Sequence, residues 1–278
     1  MVSANLVCKH VLPRPSERDG PVRCKSRRKS GIKSRTRLAA GLLAMLVSLS
    51  AQAADWSSAN VQYLAGDGYK IGDESMGIFT MEYAAGAKTW DVFLFFDVNN
   101  PTGPGINHYG EFSPRLSLGA FTGSPLSFGI VKDVMIATTL EMGDGVRAYL
   151  AGVGLPLKLP GFAFADINLY ARKSYRDFAA VQTNTGGQVT IDWLLPFKLG
   201  PLDMAFEGFA DWAFGEDGGS APIADNLVAG PRLLMDVGKF IGSPGKLQVG
   251  VEYQIWRNKF GVKGVDENVP QAMVKWIF

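Results

Sequence analysis

Pro270-Gln271-Ala272-Met273-Val274-Lys275-Trp276-Ile277-Phe278 is the stretch that decides the fold. In an extended chain Ala272, Val274, Trp276 and Phe278 share one face, and Gln271, Met273, Lys275 and Ile277 share the other. A soluble strand with Trp and Phe on an uncovered face invites aggregation. Lipid covers such a face when the strand closes a membrane β-barrel, with mixed residues turned to the lumen. The expected fold class is therefore all-β, a single-chain antiparallel transmembrane β-barrel.

The same alternation recurs upstream, in runs of roughly ten residues separated by Gly, Pro, Asn or Asp. Twelve runs emerge, near 60–69, 77–84, 90–97, 109–121, 129–141, 147–157, 162–172, 188–197, 203–214, 226–237, 246–257 and 270–278. An even count suits a bacterial barrel. With the N-terminus in the periplasm, the connections there read as tight: Ala85-Gly86-Ala87, Lys158-Leu159-Pro160-Gly161 and Lys198-Leu199-Gly200-Pro201-Leu202. The external ones read as longer and more polar, as in Asn99 to His108, Lys173 to Gly187, Gly215 to Asp225 and Asn258 to Val269.

The head of the chain points to the same compartment. Lys33, Arg35 and Arg37 precede the apolar run Leu38 to Leu49, and Ala51-Gln52-Ala53 supplies a small-x-small cleavage pattern. Residues 1–53 are expected to be a basic leader plus signal peptide, cleaved from a barrel spanning 54–278. A twin-arginine signal at Arg27-Arg28 fits poorly, because Lys29-Ser30-Gly31 follows it. The leader carries eleven of the 28 Lys+Arg and two of the 26 Asp+Glu, which leaves 17 basic and 24 acidic residues, a formal charge of −7. Nucleic acid thus loses its support as a partner. Both cysteines, Cys8 and Cys24, also lie in the leader, as suits an envelope barrel that needs no disulfides.

Parity assigns the faces. Glu207, Phe209 and Asp211 alternate with Phe206, Gly208, Ala210 and Trp212, and the carboxylates belong inside, because a charge at the lipid midplane costs about 2–4 kcal/mol for Arg or Lys and less for Asp or Glu. The same reasoning turns Phe93, Phe95, Asp97, Glu111, Arg115, Asp192, Arg232, Glu252 and Trp256 inward, with the three residues of the ninth strand. These twelve are the expected pore-lining, solute-contacting set, although interior ion pairs equally serve to hold strand register. Trp90, Phe162, Phe197, Phe240, Trp276 and Phe278 at one end, and Tyr69, Tyr109, Tyr149, Trp212 and Phe214 at the other, read as interfacial girdles.

Glu111-Phe112-Ser113-Pro114-Arg115-Leu116-Ser117-Leu118, then Leu126-Ser127-Phe128-Gly129, Lys132-Asp133 and Met142-Gly143, resembles the nucleoside-specific channel family, the Tsx-like outer-membrane porins. The likeness runs in order from Trp90 to Phe278. It implies a monomeric twelve-stranded barrel in the bacterial outer membrane that passes nucleosides by diffusion, and a possible use as a phage or bacteriocin receptor. The expected partners are outer-membrane lipid, a small solute, and the barrel-assembly machinery acting through the strand that ends on Phe278.

Two alternatives stay open. One is a receptor or adhesion barrel with a blocked lumen. The other is a barrel hydrolase, for which His108, the one histidine after the leader, is the sole candidate base. No cofactor or metal is expected; Glu216-Asp217 and Asp266-Glu267 read as solvated loop tips.

Overall fold

Along the final strand, Glu267, Val269, Gln271, Met273 and Lys275 are buried while Pro270, Ala272, Val274 and Trp276 are exposed. That two-residue period gives each strand a lumen face and a lipid face. The computed structural model describes residues 54–103, 105–177, 183–218 and 221–278. The expected leader and signal peptide, residues 1–53, lie outside them.

Twelve strands form the wall: β1 Trp56–Asp67, β2 Ser75–Ala87, β3 Trp90–Asn99, β4 Asn107–Ser117, β5 Met135–Gly143 and β6 Val146–Pro156. They continue as β7 Phe164–Arg176, β8 Gly186–Leu199, β9 Leu202–Phe214, β10 in two pieces (Asn226–Ala229 and Arg232–Asp236), β11 Leu247–Arg257 and β12 Glu267–Ile277. Each pairs antiparallel with its neighbours, and β1 pairs with β12 from Asn60↔Ile277 to Gly66↔Gln271. The sheet is therefore a closed barrel with no free edge. Gly230-Pro231 splits β10, yet Gly230 N–H donates to the Phe209 carbonyl and Tyr253 N–H to the Pro231 carbonyl, so the wall stays paired across the break.

Three expectations about the connections fail. The fifth strand begins at Met135 rather than near 129, because residues 118–134 form a folded connection with a helical turn, α1, at Gly119–Thr122. Asp133 holds that connection: its carboxylate accepts from the Ser117 hydroxyl at 2.5 Å and from the Leu126 and Val134 amides at 2.9 and 2.8 Å. Ala85-Gly86-Ala87, read as a turn, completes β2 instead. Nor is one end uniformly short. The near end, which carries Trp56 and Ile277, has connections 88–89, 118–134, 157–163, 200–201 and 237–246. The far end has 68–74, 100–106, 144–145, 177–185, 215–225 and 258–266.

Outside, Tyr63, Met81, Leu94, Phe96, Ile136, Val153, Leu169, Ile191, Phe206, Leu233, Val251 and Val274 form an exposed apolar belt. No helix among the described residues is long and apolar enough to cross a membrane. Inside, Leu64, Ile78, Ala205, Leu234 and Met273 pack as one cluster, and Ala137, Ala148, Leu150 and Tyr170 as another. Two expected girdle residues leave the belt. Tyr69 is buried and donates to the inward Gln271 side chain at 2.8 Å; Tyr109 shares the inward face of β4 and donates to Glu111 at 2.6 Å. Each phenol finds a carbonyl or carboxylate partner inside, which outweighs a place at the interface.

The lipid face makes a quantitative prediction. Val251→Arg, in the middle of β11, should lower barrel stability by about 2–4 kcal/mol, and Leu247→Arg at the strand end by about 0–1 kcal/mol. Urea unfolding in lipid vesicles measures both; equal effects would place the membrane elsewhere on the barrel.

Candidate functional lumen

Lumen-facing carboxylates outnumber lumen-facing cations, and the few cations organise them. Arg232 on β10 is a hub. Its Nε donates to Glu252 at 2.6 Å, and its Nη1 reaches Glu82 at 3.2 Å and Glu207 at 3.5 Å. Lys275 Nζ donates to the same Glu207 at 2.7 Å. Asn60 donates to Glu82 at 3.0 Å, and Gln271 to Glu252 at 3.0 Å. Strands β10 and β2 are four places apart around the barrel, so the Arg232–Glu82 pair spans interior space rather than running along the wall. Three carboxylates and two cations thus satisfy one another where each alone would be costly to bury.

Two further arginines serve the opposite side. Arg115 on β4 grips Asp91 with two nitrogens at 2.7 and 2.9 Å, and reaches across to Asp166 on β7 at 2.9 Å and Asn168 at 3.2 Å. Arg172 on β7 pairs with Glu141 and donates to Gln188 at 2.7 Å, with Glu216 at 3.8 Å. Glu216 is buried and accepts from the Ser174 amide at 3.0 Å, so it is no solvated loop tip: Arg172 and the backbone draw it inward.

Between these clusters two walls face each other. On β3 and β4 the Phe93 and Phe95 rings lie 5.9 Å apart, Phe95 and Tyr109 5.7 Å apart, and Asp97 accepts from Thr80 at 2.6 Å. Strand β9 stands six places from β3, diametrically opposite, and presents Phe209 and Asp211; β8 beside it presents Asp192. Asp211 accepts from Thr190 and from Gln188, and Asp192 from Asn168 at 3.5 Å. Phe93 faces inward and is still 39% exposed, so open space adjoins it.

The twelve residues chosen from parity therefore fall into separate groups. Arg232, Glu207 and Glu252 meet in the hub, whereas Phe93, Phe95, Asp97 and Glu111 line one wall and Asp192, Phe209 and Asp211 the other. Arg115 belongs to its own cluster. Trp256 stands apart at the far mouth, against Phe260 at 4.8 Å. Sequence reasoning left Glu82, Tyr109, Arg172 and Lys275 out of this set, although the alternation that assigns Gln271 to the lumen assigns Lys275 with it.

At the far mouth Tyr69 lies in the 68–74 connection; burial, and then the charges of Glu252 and Glu267, push its phenol pKa up, so it remains a donor to Gln271. His108 is on the outward face of β4, stacked on Phe96 at 5.8 Å with Asp144 at 3.7 Å. Among the described residues no group of three or more His, Cys, Asp or Glu could hold a metal ion.

Residues 51–265 match the model of the family described as nucleoside-specific channel-forming protein, Tsx, and the chain belongs to that family. It is 28% identical to the nucleoside-specific channel-forming protein Tsx of Escherichia coli O157:H7 over 228 residues, 67% of this chain and 76% of that one. It is 29% identical to the outer membrane protein OmpK of Vibrio parahaemolyticus over 148 residues, 49% of this chain and 54% of the relative. The match thus spans about half the length of that relative. Among solved structures, the KdgM porin aligns over 80% of this chain and 99% of its own at 9% identity, with a TM-score of 0.47. The protein is an outer-membrane barrel of a channel family.

The hub predicts its own cost of removal. Arg232→Ala leaves Glu82, Glu207 and Glu252 facing one another with Lys275 alone, and should destabilise the barrel by about 3–5 kcal/mol. A urea midpoint unchanged from the parent would show that water, not Arg232, neutralises these acids.

Proposed function

We propose that the protein is a passive channel for small uncharged solutes with an aromatic part, nucleosides above all. The observation that carries this reading is the ring ladder Phe93–Phe95–Tyr109 set opposite Phe209 and two carboxylates. A base stacked on one inward ring gains on the order of 1 kcal/mol. Ribose hydroxyls donate to carboxylates such as Asp97, Asp192 and Asp211, which keep acceptor capacity beyond their present bonds. Several shallow sites in series allow release as well as entry, as conduction requires. An acid-rich lumen repels phosphate, since anion pores rely on rings of Arg and Lys. Membership of a nucleoside-channel family supports the same solute.

In this reading the far end faces the outside, β12 with its outward Trp276 is the segment the barrel-assembly machinery engages, and no catalysis occurs. His108 lies against Phe96 on the lipid side of the wall rather than over the lumen.

A second reading is a receptor barrel without through-flow. It is favoured by the apolar cluster of Leu64, Ile78, Ala205, Leu234 and Met273, which fills part of the interior. Single-channel recording in planar bilayers separates the two, because a blocked barrel carries no current.

For the channel, adenosine should reduce the ion current at concentrations where adenosine monophosphate does not. Phe93→Ala should weaken that competition roughly fivefold, the equivalent of about 1 kcal/mol of lost stacking. Nucleotides competing as well as nucleosides would sink the solute assignment.

A further inference from the structure

Lys259 sits in the turn Lys259–Gly261 of the 258–266 connection, yet it is only 4% exposed. Its ammonium donates to both oxygens of Glu267 at 2.9 and 2.8 Å. Three rings surround it: Trp256 with its centroid at 4.5 Å, Phe260 at 5.4 Å and Tyr69 at 5.7 Å. Glu267 is 0% exposed and was expected at a solvated tip; Lys259, the Lys70 amide at 2.7 Å and Gln254 at 3.0 Å hold it inside instead. A carboxylate at the base of an aromatic cage is the chemistry that recognises an organic ammonium ion.

The backbone that delivers Lys259 is strained. Asn258 and Phe260, on either side of it, have φ of 49° and 56°. A phenylalanine in the left-handed region persists only where its surroundings over-determine it. Burial also pushes the Lys259 pKa down, so the charged side chain is held there against a desolvation cost. The cage is thus filled by a tethered cation whose tether opposes it.

We propose that Trp256, Tyr69, Phe260 and Glu267 form an ammonium-binding site at the far mouth that the chain keeps filled with its own Lys259, and that organic ammonium solutes compete for it. Tethering gives Lys259 a high effective concentration, so free competitors act at millimolar levels or above. When one enters, Lys259 leaves and the 258–266 turn relaxes outward. This site is separate from the ring ladder and does not depend on which solute the lumen passes.

Trypsin cleavage after Lys263, exposed in the same turn, reads the site without relying on conduction. With n-butylammonium as probe, cleavage of the intact detergent-folded barrel should accelerate saturably, by threefold or more, relative to sodium at equal ionic strength. Lys259→Met should be cut faster at rest, and butylammonium should now slow it, because the probe refills an empty cage. That reversal of sign should vanish in Lys259→Met with Glu267→Gln. Heat-modifiable gel mobility confirms that each variant is folded. A response no larger than that to sodium, in the parent protein alone or with the same sign in Lys259→Met, would overturn the proposal.

Discussion

Seven paired positions between β1 and β12 turn a sheet into a cylinder. In hydrocarbon every unpaired amide or carbonyl costs several kcal/mol, and a closed ladder is the β solution that leaves no edge. Everything else follows from that closure. Once the ends of the sheet meet, alternate side chains have nowhere to go but lipid or lumen. The lipid face becomes apolar by necessity across the middle of the wall, and charge there is pressed into the interior, while outward charges such as Arg147 and Asp67 keep to the strand ends. Even the break at Gly230-Pro231 respects the rule, since its neighbours keep their backbone partners.

Confined charge then shapes the interior. An excess of inward carboxylates needs cations to remain folded: Arg232 and Arg115 each bind acids from more than one strand, Arg172 joins Glu141 to Glu216 of a connection, and Lys275 adds a second cation at Glu207. A guanidinium suits this task because its planar fork serves two or three carboxylates at once. Such clusters brace the walls where they occur, and they leave the acids of the ring-lined region, Asp97, Asp192 and Asp211, with hydroxyl and amide partners. In the proposed channel, those weaker partners are the ones a hydroxyl-rich solute would rearrange.

Polarity alternation made the barrel, its strand number and the inward sense of Asp192, Glu207 and Glu252 readable, because lipid keeps charge off the outward face in the middle of each strand. What stayed hidden depends on contacts between distant strands. Nothing local to Glu82 says that Arg232, 150 residues away, will reach it. Tyr69 and Tyr109 look like interfacial rings until Gln271 and Glu111 are seen as their acceptors. Residues 118–134 mimic the end of one strand and the start of another; only the bonds to Asp133 reveal a folded turn. Acidic pairs such as Asp266-Glu267 defeat sequence reading for the same reason. Asp266 accepts from the Asn258 amide at an exposed position while its neighbour is buried under a lysine.

The two-residue link Asp144-Gly145 gives the far rim an uneven height. On the β9–β12 side the connections run to eleven and nine residues, 215–225 and 258–266, whereas between β5 and β6 the wall ends almost at once. The rim therefore has a low sill, one strand away from β4 with Tyr109 and Glu111. In the proposed channel, with this end outward, approach from the headgroup layer is less obstructed there than at the opposite parapet, on the side that carries Tyr109, so entry would be lopsided.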